Sequence, residues 1–329
     1  MTGLLAALPG DKLFLNCQED SWYLDVEAAI HARIGETLAQ RRYDRLLFTG
    51  TSMGGAAALM FAPRHAPDRV LAFAANTVVH EPLTHSALNL SGPLRDLTAD
   101  IDDELARRTT VVLGIQDPAD VHTWLRLRRL RPAFDLKPML SGHDTAGILG
   151  YAGALAGLMQ AFHAGEPIRL PPALRPSKAD IALGLRTRAA TLAAWADPRP
   201  QTWAEIAALP ARWRQQAWRK LIEHALRRDP LAAYRHAEAA MIDYPDFGYA
   251  VEGVVEAVFR ANHRGGLLAG RHLADYVTLR PEAKGMRIAE AVATIVGAPW
   301  PPDMATARVS DAPAKRRAKR RAGAERGEP

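Results

Sequence analysis

A serine, an aspartate and a histidine follow one another along the chain in a context that suits nucleophilic catalysis. Ser52 lies in the run Gly50-Thr-Ser-Met-Gly54, Asp117 precedes a proline, and His143 follows a glycine. A serine hydroxyl becomes a nucleophile when a base takes its proton, and a carboxylate orients that base. The three residue types therefore predict acyl-transfer chemistry, with Ser52 as the nucleophile and His143 as the general base.

The residues on either side of Ser52 predict a strand, a sharp turn and a helix. Residues 45–48 (Arg-Leu-Leu-Phe) begin with a charge and become apolar, as a buried parallel strand does. Residues 56–62 (Ala-Ala-Ala-Leu-Met-Phe-Ala) are strong helix formers. A Gly-x-Ser-x-Gly run between a strand and a helix lifts the serine hydroxyl clear of the backbone. We therefore expect Ser52 to lie on a nucleophile elbow.

Two aspartates are candidates for the acid that orients His143. Asp117 and Asp120 both follow the predicted strand that ends near Gly114. Asp117 is favoured by its motif position, but Asp120 serves instead if Asp117 caps the helix that follows, since aspartate is a preferred N-cap. Asp144 is excluded, because side chains adjacent in sequence rarely face each other well.

Two backbone N–H groups are expected to bind the oxyanion of the tetrahedral intermediate. One belongs to Met53, the residue after the nucleophile. The other is expected in the loop after the first predicted strand, near Gln18. Cys17 in that loop is interpreted as a packed thiol, and the aromatic pair Trp22 and Tyr23 as packing at the start of a helix rather than as a pocket wall.

The first half of the chain alternates predicted strands and helices, which indicates a parallel sheet covered on both faces. The predicted strands are Lys12–Cys17, Arg45–Thr49, Arg69–Ala75, Thr109–Ile115 and Leu136–Leu140, and the predicted helices are Asp25–Arg41, Met53–Arg64, Ala119–Arg131 and Thr145–Ala164. The fold class is thus α/β, an open, mostly parallel sheet of about five strands, followed by an all-α helical domain. The long segment from Val78 to Arg108 is expected to form the wall of a substrate pocket.

Residues 12–164 resemble an α/β hydrolase of minimal size. The run from Gly50 to Gly55 matches the nucleophile elbow of that family, Gly114-Ile-Gln-Asp-Pro118 resembles its Gly-x-x-Asp-Pro acid motif, and Gly142-His143 matches its histidine loop. The chain starts at what would be the third strand of the family, so the resemblance implies an N-terminally shortened sheet.

The resemblance implies a role for each member of the constellation. Ser52 would be the nucleophile, His143 the general base and Asp117 the orienting acid, and the family needs no cofactor. The remaining histidines show no spacing typical of metal ligands, so no metal is expected either.

Composition changes after the first half of the chain and suggests three regions. We predict an α/β-hydrolase-like catalytic domain over residues 1–165, a helical domain over 177–300 and a disordered basic tail over 305–329. Prolines at positions 167, 171, 172 and 176 mark the first boundary. Two similar segments, Asp243–Val258 and Leu279–Thr294, are offset by about 36 residues, near the 34-residue tetratricopeptide period. The helical domain is therefore either tetratricopeptide-like or a plain helical bundle.

Charge and cysteine content restrict the class of protein. The net charge is +6, and the segment Asp311–Pro329 contains seven basic and three acidic residues, so the rest of the chain is close to neutral. Nucleic-acid binding is therefore not expected apart from the basic tail. The single cysteine excludes an internal disulfide, and no secretory signal or membrane span is evident, which favours a cytoplasmic location.

These observations favour a serine hydrolase that acts on an ester or a thioester. The expected substrate is a small-molecule or glycan-linked acyl ester, and a protein partner is expected at the helical domain. Two alternatives stay open at the level of sequence. The same triad could serve an acyltransferase, or the chain could be a helical-repeat binding protein with a vestigial hydrolase domain.

Overall fold

The centre of the fold is a parallel sheet of four strands. A computed structural model describes residues 8–16, 21–84, 86–89 and 93–243. Within these residues the strands are β1 (Leu47–Thr51), β2 (Arg69–Phe73), β3 (Val78–Val79), β4 (Arg95–Asp96), β5 (Thr109–Gly114) and β6 (Asp135–Met139). The main sheet has the order β1-β2-β5-β6 with every pair parallel, and β3 and β4 form a separate antiparallel pair.

The register of the sheet brings three chain segments to one edge. Thr51 pairs with Phe73, Phe73 with Val112, and Gly114 with Met139. The carboxyl ends of β1, β5 and β6 therefore lie along the same edge, where ligands bind in open α/β sheets. The segments that carry Ser52, the two aspartates and His143 leave the sheet at this edge.

Helices surround this sheet and extend the chain beyond it. The α-helices of the described residues are α1 (Glu27–Ala39), α2 (Met53–His65), α3 (Ser86–Asn89), α4 (Asp103–Arg107), α5 (Pro118–Leu130), α6 (Thr145–Tyr151), α7 (Leu155–Ala164), α8 (Lys178–Ala196), α9 (Pro200–Ala207), α10 (Ala211–Arg228) and α11 (Pro230–Asp243). The prediction of a mostly parallel sheet with flanking helices, followed by a helical region, is confirmed.

Alternate residues of the central strands pack on opposite faces of the sheet. Val70 and Ala72 of β2 join a cluster that includes residues of α2 and α5. Leu71 and Phe73 join a second cluster that includes residues of α6 and α7. Because both faces are covered, the central strands are apolar from Val70 to Phe73 in β2 and from Val111 to Gly114 in β5.

The first predicted strand is not observed, and the main sheet has four strands instead of about five. Residues 12–16 have no strand structure, and Cys17 lies outside the described residues. Leu13 is 41% exposed and Phe14 is 49% exposed, and of the apolar side chains that suggested a buried strand only Leu15 packs against a core cluster among the described residues. The predicted helix Thr145–Ala164 is also interrupted, because Gly153 adopts a positive φ of 67° between α6 and α7.

The sheet and the helices that follow it belong to one compact unit. The chain divides into residues 1–227 and residues 228–329, so α8, α9 and nearly all of α10 lie in the same unit as the sheet. This division differs from the boundary expected at residues 166–176. Close packing accounts for it: a Cβ atom at Gly184 of α8 would lie 2.7 Å from the carbonyl oxygen of Ile115, just after β5.

The second unit is described only over residues 228–243, which contain α11. The two segments with a tetratricopeptide-like spacing lie outside the described residues, apart from Asp243, and so does the basic tail.

Among the described residues, no individual helix has both the length and the apolar character needed to cross a membrane. By length and composition only, α6 and α7 pass this criterion when they are taken together, and they are bent by 111° at their junction.

Candidate active site

Ser52 lies on a strained turn between β1 and α2. Its φ is 53° and its ψ is −118°, a combination that a residue with a side chain rarely adopts. Its N–H donates to the carbonyl oxygen of Phe73 at 2.8 Å, and its own carbonyl accepts from the N–H of Ala56 at 3.0 Å. These two bonds hold the turn, and the Ser52 hydroxyl projects from it at the functional edge of the sheet.

Two of the three glycines around Ser52 are required by close backbone contacts. A Cβ atom at Gly50 would lie 2.1 Å from the carbonyl oxygen of Gly54. A Cβ atom at Gly55 would lie 3.0 Å from the carbonyl oxygen of Phe73. A Cβ atom at Gly54 would meet nothing within 4 Å. The turn therefore depends on Gly50 and Gly55, whereas Gly54 borders open space.

His143 connects Ser52 to a buried carboxylate. Its Nε2 lies 2.9 Å from Ser52 Oγ, and its Nδ1 lies 2.8 Å from Oδ1 of Asp120. An ionised carboxylate only accepts hydrogen bonds, so the Nδ1 atom of His143 donates to Asp120. In the neutral ring Nε2 then carries the lone pair and accepts from the Ser52 hydroxyl. The three side chains form one continuous hydrogen-bonded chain.

Asp120, rather than the favoured Asp117, is the carboxylate that accepts this hydrogen bond from His143. The Asp120 side chain is fully buried, and its second oxygen accepts from the N–H of Gly114 at 2.9 Å. Asp117 caps α5, since its Oδ1 accepts from the N–H groups of Ala119 and Asp120 at 2.8 and 3.2 Å. The choice of Asp117 as the orienting acid is corrected by this geometry. The Asp-Pro pair at the start of α5 was the sequence signal for a cap.

The loop that carries His143 is fixed by contacts at both ends. A Cβ atom at Gly114 would lie 2.0 Å from the carbonyl oxygen of Gly142, so β5 and the loop touch through their backbones. After the histidine, Asp144 caps α6 by accepting from the N–H of Gly147 at 2.9 Å. The position of the imidazole is therefore set by backbone packing on one side and by a helix cap on the other.

Helix α10 contributes two residues that sequence reasoning did not identify. Nζ of Lys220 lies 3.2 Å from Oδ2 of Asp117. A Cβ atom placed on Gly142 would lie 3.2 Å from the side-chain amide nitrogen of Gln216, which is one turn before Lys220 on α10. No local signal marks these residues, because they reach the site only when α10 packs against loops that lie between about 70 and 100 residues earlier in the chain.

The charges around His143 act on its pKa in opposite directions. Burial alone would lower the pKa of His143, but the charge and hydrogen bond of Asp120, together with the charge of Asp117, raise it above the ordinary histidine value. Burial raises the pKa of Asp120, and the hydrogen bond from His143 opposes that rise. A raised His143 pKa gives the imidazole a strong affinity for the proton of the Ser52 hydroxyl.

The same cluster has the residue types of a cation site, but the protein supplies the cation itself. Asp117, Asp120 and His143 each offer one possible ligand atom, and these three atoms lie within 4.8 Å of one another. The ammonium group of Lys220 is paired with Asp117, and both nitrogens of His143 have partners in Asp120 and Ser52. These pairings suit proton transfer better than the binding of a metal ion.

The structure describes the backbone of one of the two expected oxyanion donors, and its role stays a prediction. Met53 is the first residue of α2, where a backbone N–H has no carbonyl partner within the helix. Gln18, the other expected donor, lies outside the described residues. Trp22 and Tyr23 are buried in a cluster with residues of α2, and Tyr23 contacts the ring of Phe61 edge to face.

The segment from Val78 to Arg108 contacts α5 through one ion pair and one contact between a carboxylate and an imidazole. Oε1 of Glu81 lies 3.3 Å from Nε2 of His122, and Asp96 accepts from Arg126 at 2.8 Å. His122 and Arg126 are one helical turn apart, on the same face of α5. The segment is therefore held by the helix that also carries Asp120. Its expected role as a pocket wall stays a prediction.

Comparisons with known proteins give no relative from which a function could be transferred. Neither a scan against protein-family models nor searches among curated proteins and solved structures find a significant match.

The glycine contacts predict opposite results for two neighbouring substitutions. Gly50→Ala should lower the free energy of unfolding by about 2–3 kcal/mol, because the new methyl group overlaps the Gly54 carbonyl. Gly54→Ala should leave it unchanged or raise it by up to about 1 kcal/mol, because alanine favours the helix. Urea unfolding of both variants measures the difference. Equal destabilisation by the two substitutions would contradict this account of the turn.

The hydrogen bond from His143 to Asp120 predicts a change in the titration of the imidazole. Asp120→Asn should lower the pKa of His143, because it removes the carboxylate that stabilises the imidazolium. NMR titration of ¹³Cε1-labelled histidines measures this pKa, and the His143→Gln variant assigns the signal. Asp144→Asn is the matched control, since asparagine also caps a helix. An unchanged His143 pKa in Asp120→Asn would contradict the assignment.

Proposed function

We propose that the protein is a serine hydrolase that cleaves an ester or a thioester through an acyl-enzyme on Ser52. The observation that carries the proposal is the hydrogen-bonded chain from Ser52 Oγ through His143 to Asp120, with distances of 2.9 and 2.8 Å. The positive φ of Ser52 supports it, because strained backbone of this kind is characteristic of nucleophile elbows. The resemblance to α/β hydrolases around these residues agrees with the same chemistry.

In the first half of the reaction, Ser52 Oγ attacks the acyl carbon of the substrate. His143 Nε2 takes the hydroxyl proton as the new C–O bond forms, and the electron pair of the carbonyl moves onto its oxygen. Asp120 holds the imidazole in the tautomer that presents the Nε2 lone pair to Ser52, and it stabilises the imidazolium that results. The tetrahedral intermediate then collapses, the bond to the alcohol or thiol breaks, and His143 donates its proton to the leaving group.

In the second half of the reaction, water releases the acyl group. His143 Nε2 takes a proton from the water as its oxygen attacks the ester carbon of acyl-Ser52. Collapse of the second intermediate returns the proton to Ser52 Oγ and frees a carboxylic acid. Both half-reactions use only the substrate, water and the side chains of Ser52, His143 and Asp120, so the proposed reaction needs no cofactor.

The oxyanion of both intermediates needs donors at the N-terminus of α2. The N–H of Met53 is the first donor that we propose, because it is next to the nucleophile and has no intrahelical acceptor. Loss of a single oxyanion donor typically slows an acyl transfer by about 100- to 1,000-fold. A second donor near Gln18 remains part of the proposal.

The two alternative functions make different demands on the same groups. An acyltransferase would pass the acyl group from Ser52 to an alcohol instead of water, and a competing alcohol in the product analysis distinguishes the two. The scaffold alternative would be favoured by a histidine far from the serine. The 2.9 Å distance between Ser52 Oγ and His143 Nε2 does not favour it.

Reaction with a fluorophosphonate probe tests the proposed nucleophile. We expect the folded protein to be labelled on the peptide that contains Ser52, and Ser52→Ala to remain unlabelled. His143→Gln should slow labelling by about 1,000-fold or more, because the base that activates the hydroxyl is lost. Mass spectrometry of the digested protein locates the modification.

The control for this experiment is the same protein unfolded in urea, in which Ser52 should not react. Equal labelling of wild type and Ser52→Ala, or labelling of Ser52 that does not depend on His143, would overturn the proposed function. A series of model esters of increasing chain length then defines the acyl group that the site prefers.

A further inference from the structure

A buried ion pair next to the site has no part in the mechanism described above. Lys220 Nζ lies 3.2 Å from Asp117 Oδ2, and the two side chains are only 4% and 3% exposed. Lysine is almost never fully buried unless it is paired. Replacing such a pair by apolar residues is often neutral or stabilising, so folding alone gives little reason to keep it. Its location suggests a reason connected with the site.

The ion pair lies beside a second buried carboxylate. Asp117 and Asp120 each have an oxygen within 4.8 Å of the other and of a His143 nitrogen. Two buried carboxylates this close cannot both stay ionised easily, and one of them takes up a proton unless a cation is nearby. A protonated Asp120 would no longer favour the imidazolium form of His143. The ammonium group of Lys220 supplies the compensating charge on the Asp117 side.

The same lysine also contributes to the geometry of the acid. Asp117 Oδ1 accepts from the N–H of Asp120, while its Oδ2 faces Lys220. Lys220 therefore holds the side chain that fixes the first turn of α5, from which Asp120 projects. One turn earlier on α10, Gln216 packs against Gly142, next to His143. Helix α10 thus contacts both loops that carry the acid and the base.

We propose that Lys220 is a positioning residue, which holds the Asp117 cap of α5 and balances its charge so that Asp120 stays ionised against His143. The proposal rests on the proposed function, since it assigns Lys220 to the support of the same triad. This role would make α10 part of the site, although the helix begins about seventy residues after the last strand of the sheet.

Among the described residues, the charged groups that act on His143 are Asp117 and Asp120 at the start of α5 and Lys220 on α10. The charge of Lys220 lowers the pKa of His143, and the charge of Asp117 raises it. In the wild type these two opposite effects partly offset each other. Removing Lys220 leaves the two buried carboxylates without a cation, and a proton taken up by Asp120 then lowers the pKa of His143. Removing the charge of Asp117 instead leaves the charge of Lys220, which also lowers the pKa of His143.

The experiment compares wild type, Lys220→Met, Asp117→Asn and the double variant Asp117→Asn/Lys220→Met. NMR titration of His143 in the full chain is the first readout, because it needs no catalytic activity. The pH dependence of fluorophosphonate labelling is the second. Asparagine at position 117 still caps α5, so the double variant removes both charges and keeps the cap.

We expect a downward shift of the His143 pKa in Lys220→Met, because a proton on Asp120 removes the charge that stabilises the imidazolium, and the double variant should reverse this shift. Fluorophosphonate labelling should slow by about tenfold or more in Lys220→Met and recover in the double variant. An unchanged pKa, an upward shift, or a shift that persists in the double variant would overturn the proposal. If Lys220→Met does not fold, the same criterion applies to Asp117→Asn, with a downward shift expected and reversed in the double variant.

The two proposals can fail separately. Absence of Ser52 labelling in the wild type would overturn the proposed function, whatever the His143 titration shows. Normal labelling with no charge-dependent shift of the His143 pKa would overturn the role of Lys220 alone. A merely structural role predicts lower stability in all three variants, without a His143 pKa shift that the double variant reverses.

Discussion

The buried carboxylate of Asp120 is the constraint on which the site depends. It accepts one hydrogen bond from His143 and another from the backbone of Gly114, and it is fully shielded from water. A carboxylate in this environment has to be compensated by its partners, because burial opposes its charge. His143 is therefore held in one orientation and one tautomer, with its second nitrogen directed at Ser52. Burial alone would lower the pKa of His143, and the charge and hydrogen bond of Asp120 are what make the imidazole a stronger base.

Close backbone contacts at the edge of the sheet allow the segments that carry Ser52, Asp120 and His143 to approach one another. Gly50 lets the start of α2 approach β1, and Gly114 lets the histidine loop touch the end of β5. A side chain at either position would separate the segments that carry Ser52 and His143. Lys220 of helix α10 then pairs with Asp117 on the other side of the cluster. The candidate site is thus assembled by close approaches between three strand ends and one distant helix, and its geometry follows from the register of the sheet.

Sequence reasoning succeeded where the determining interactions are local. The alternation of apolar runs and helical segments was enough to predict the parallel sheet, and the glycines with their flanking strand and helix indicated the turn at Ser52. The choice between Asp117 and Asp120 needed the tertiary structure, because either aspartate follows the strand closely enough and only the fold shows which of them faces His143. The expected strand at Lys12–Cys17 had a suitable apolar pattern, but pairing with a neighbour decides whether such a segment joins a sheet. No local sequence pattern marks Lys220, since its partner Asp117 is about a hundred residues away in the chain.

The central claim is that Ser52 carries the acyl group during turnover, and trapping that intermediate tests it most directly. The protein is mixed with excess p-nitrophenyl acetate, quenched in acid within the first turnover and digested, and the peptides are analysed by mass spectrometry. The account predicts one acetyl group on the peptide that contains Ser52, absent from Ser52→Ala and strongly reduced in His143→Gln. Release of nitrophenol by the wild type at the same rate as by Ser52→Ala, with no acetyl group on Ser52, would contradict it.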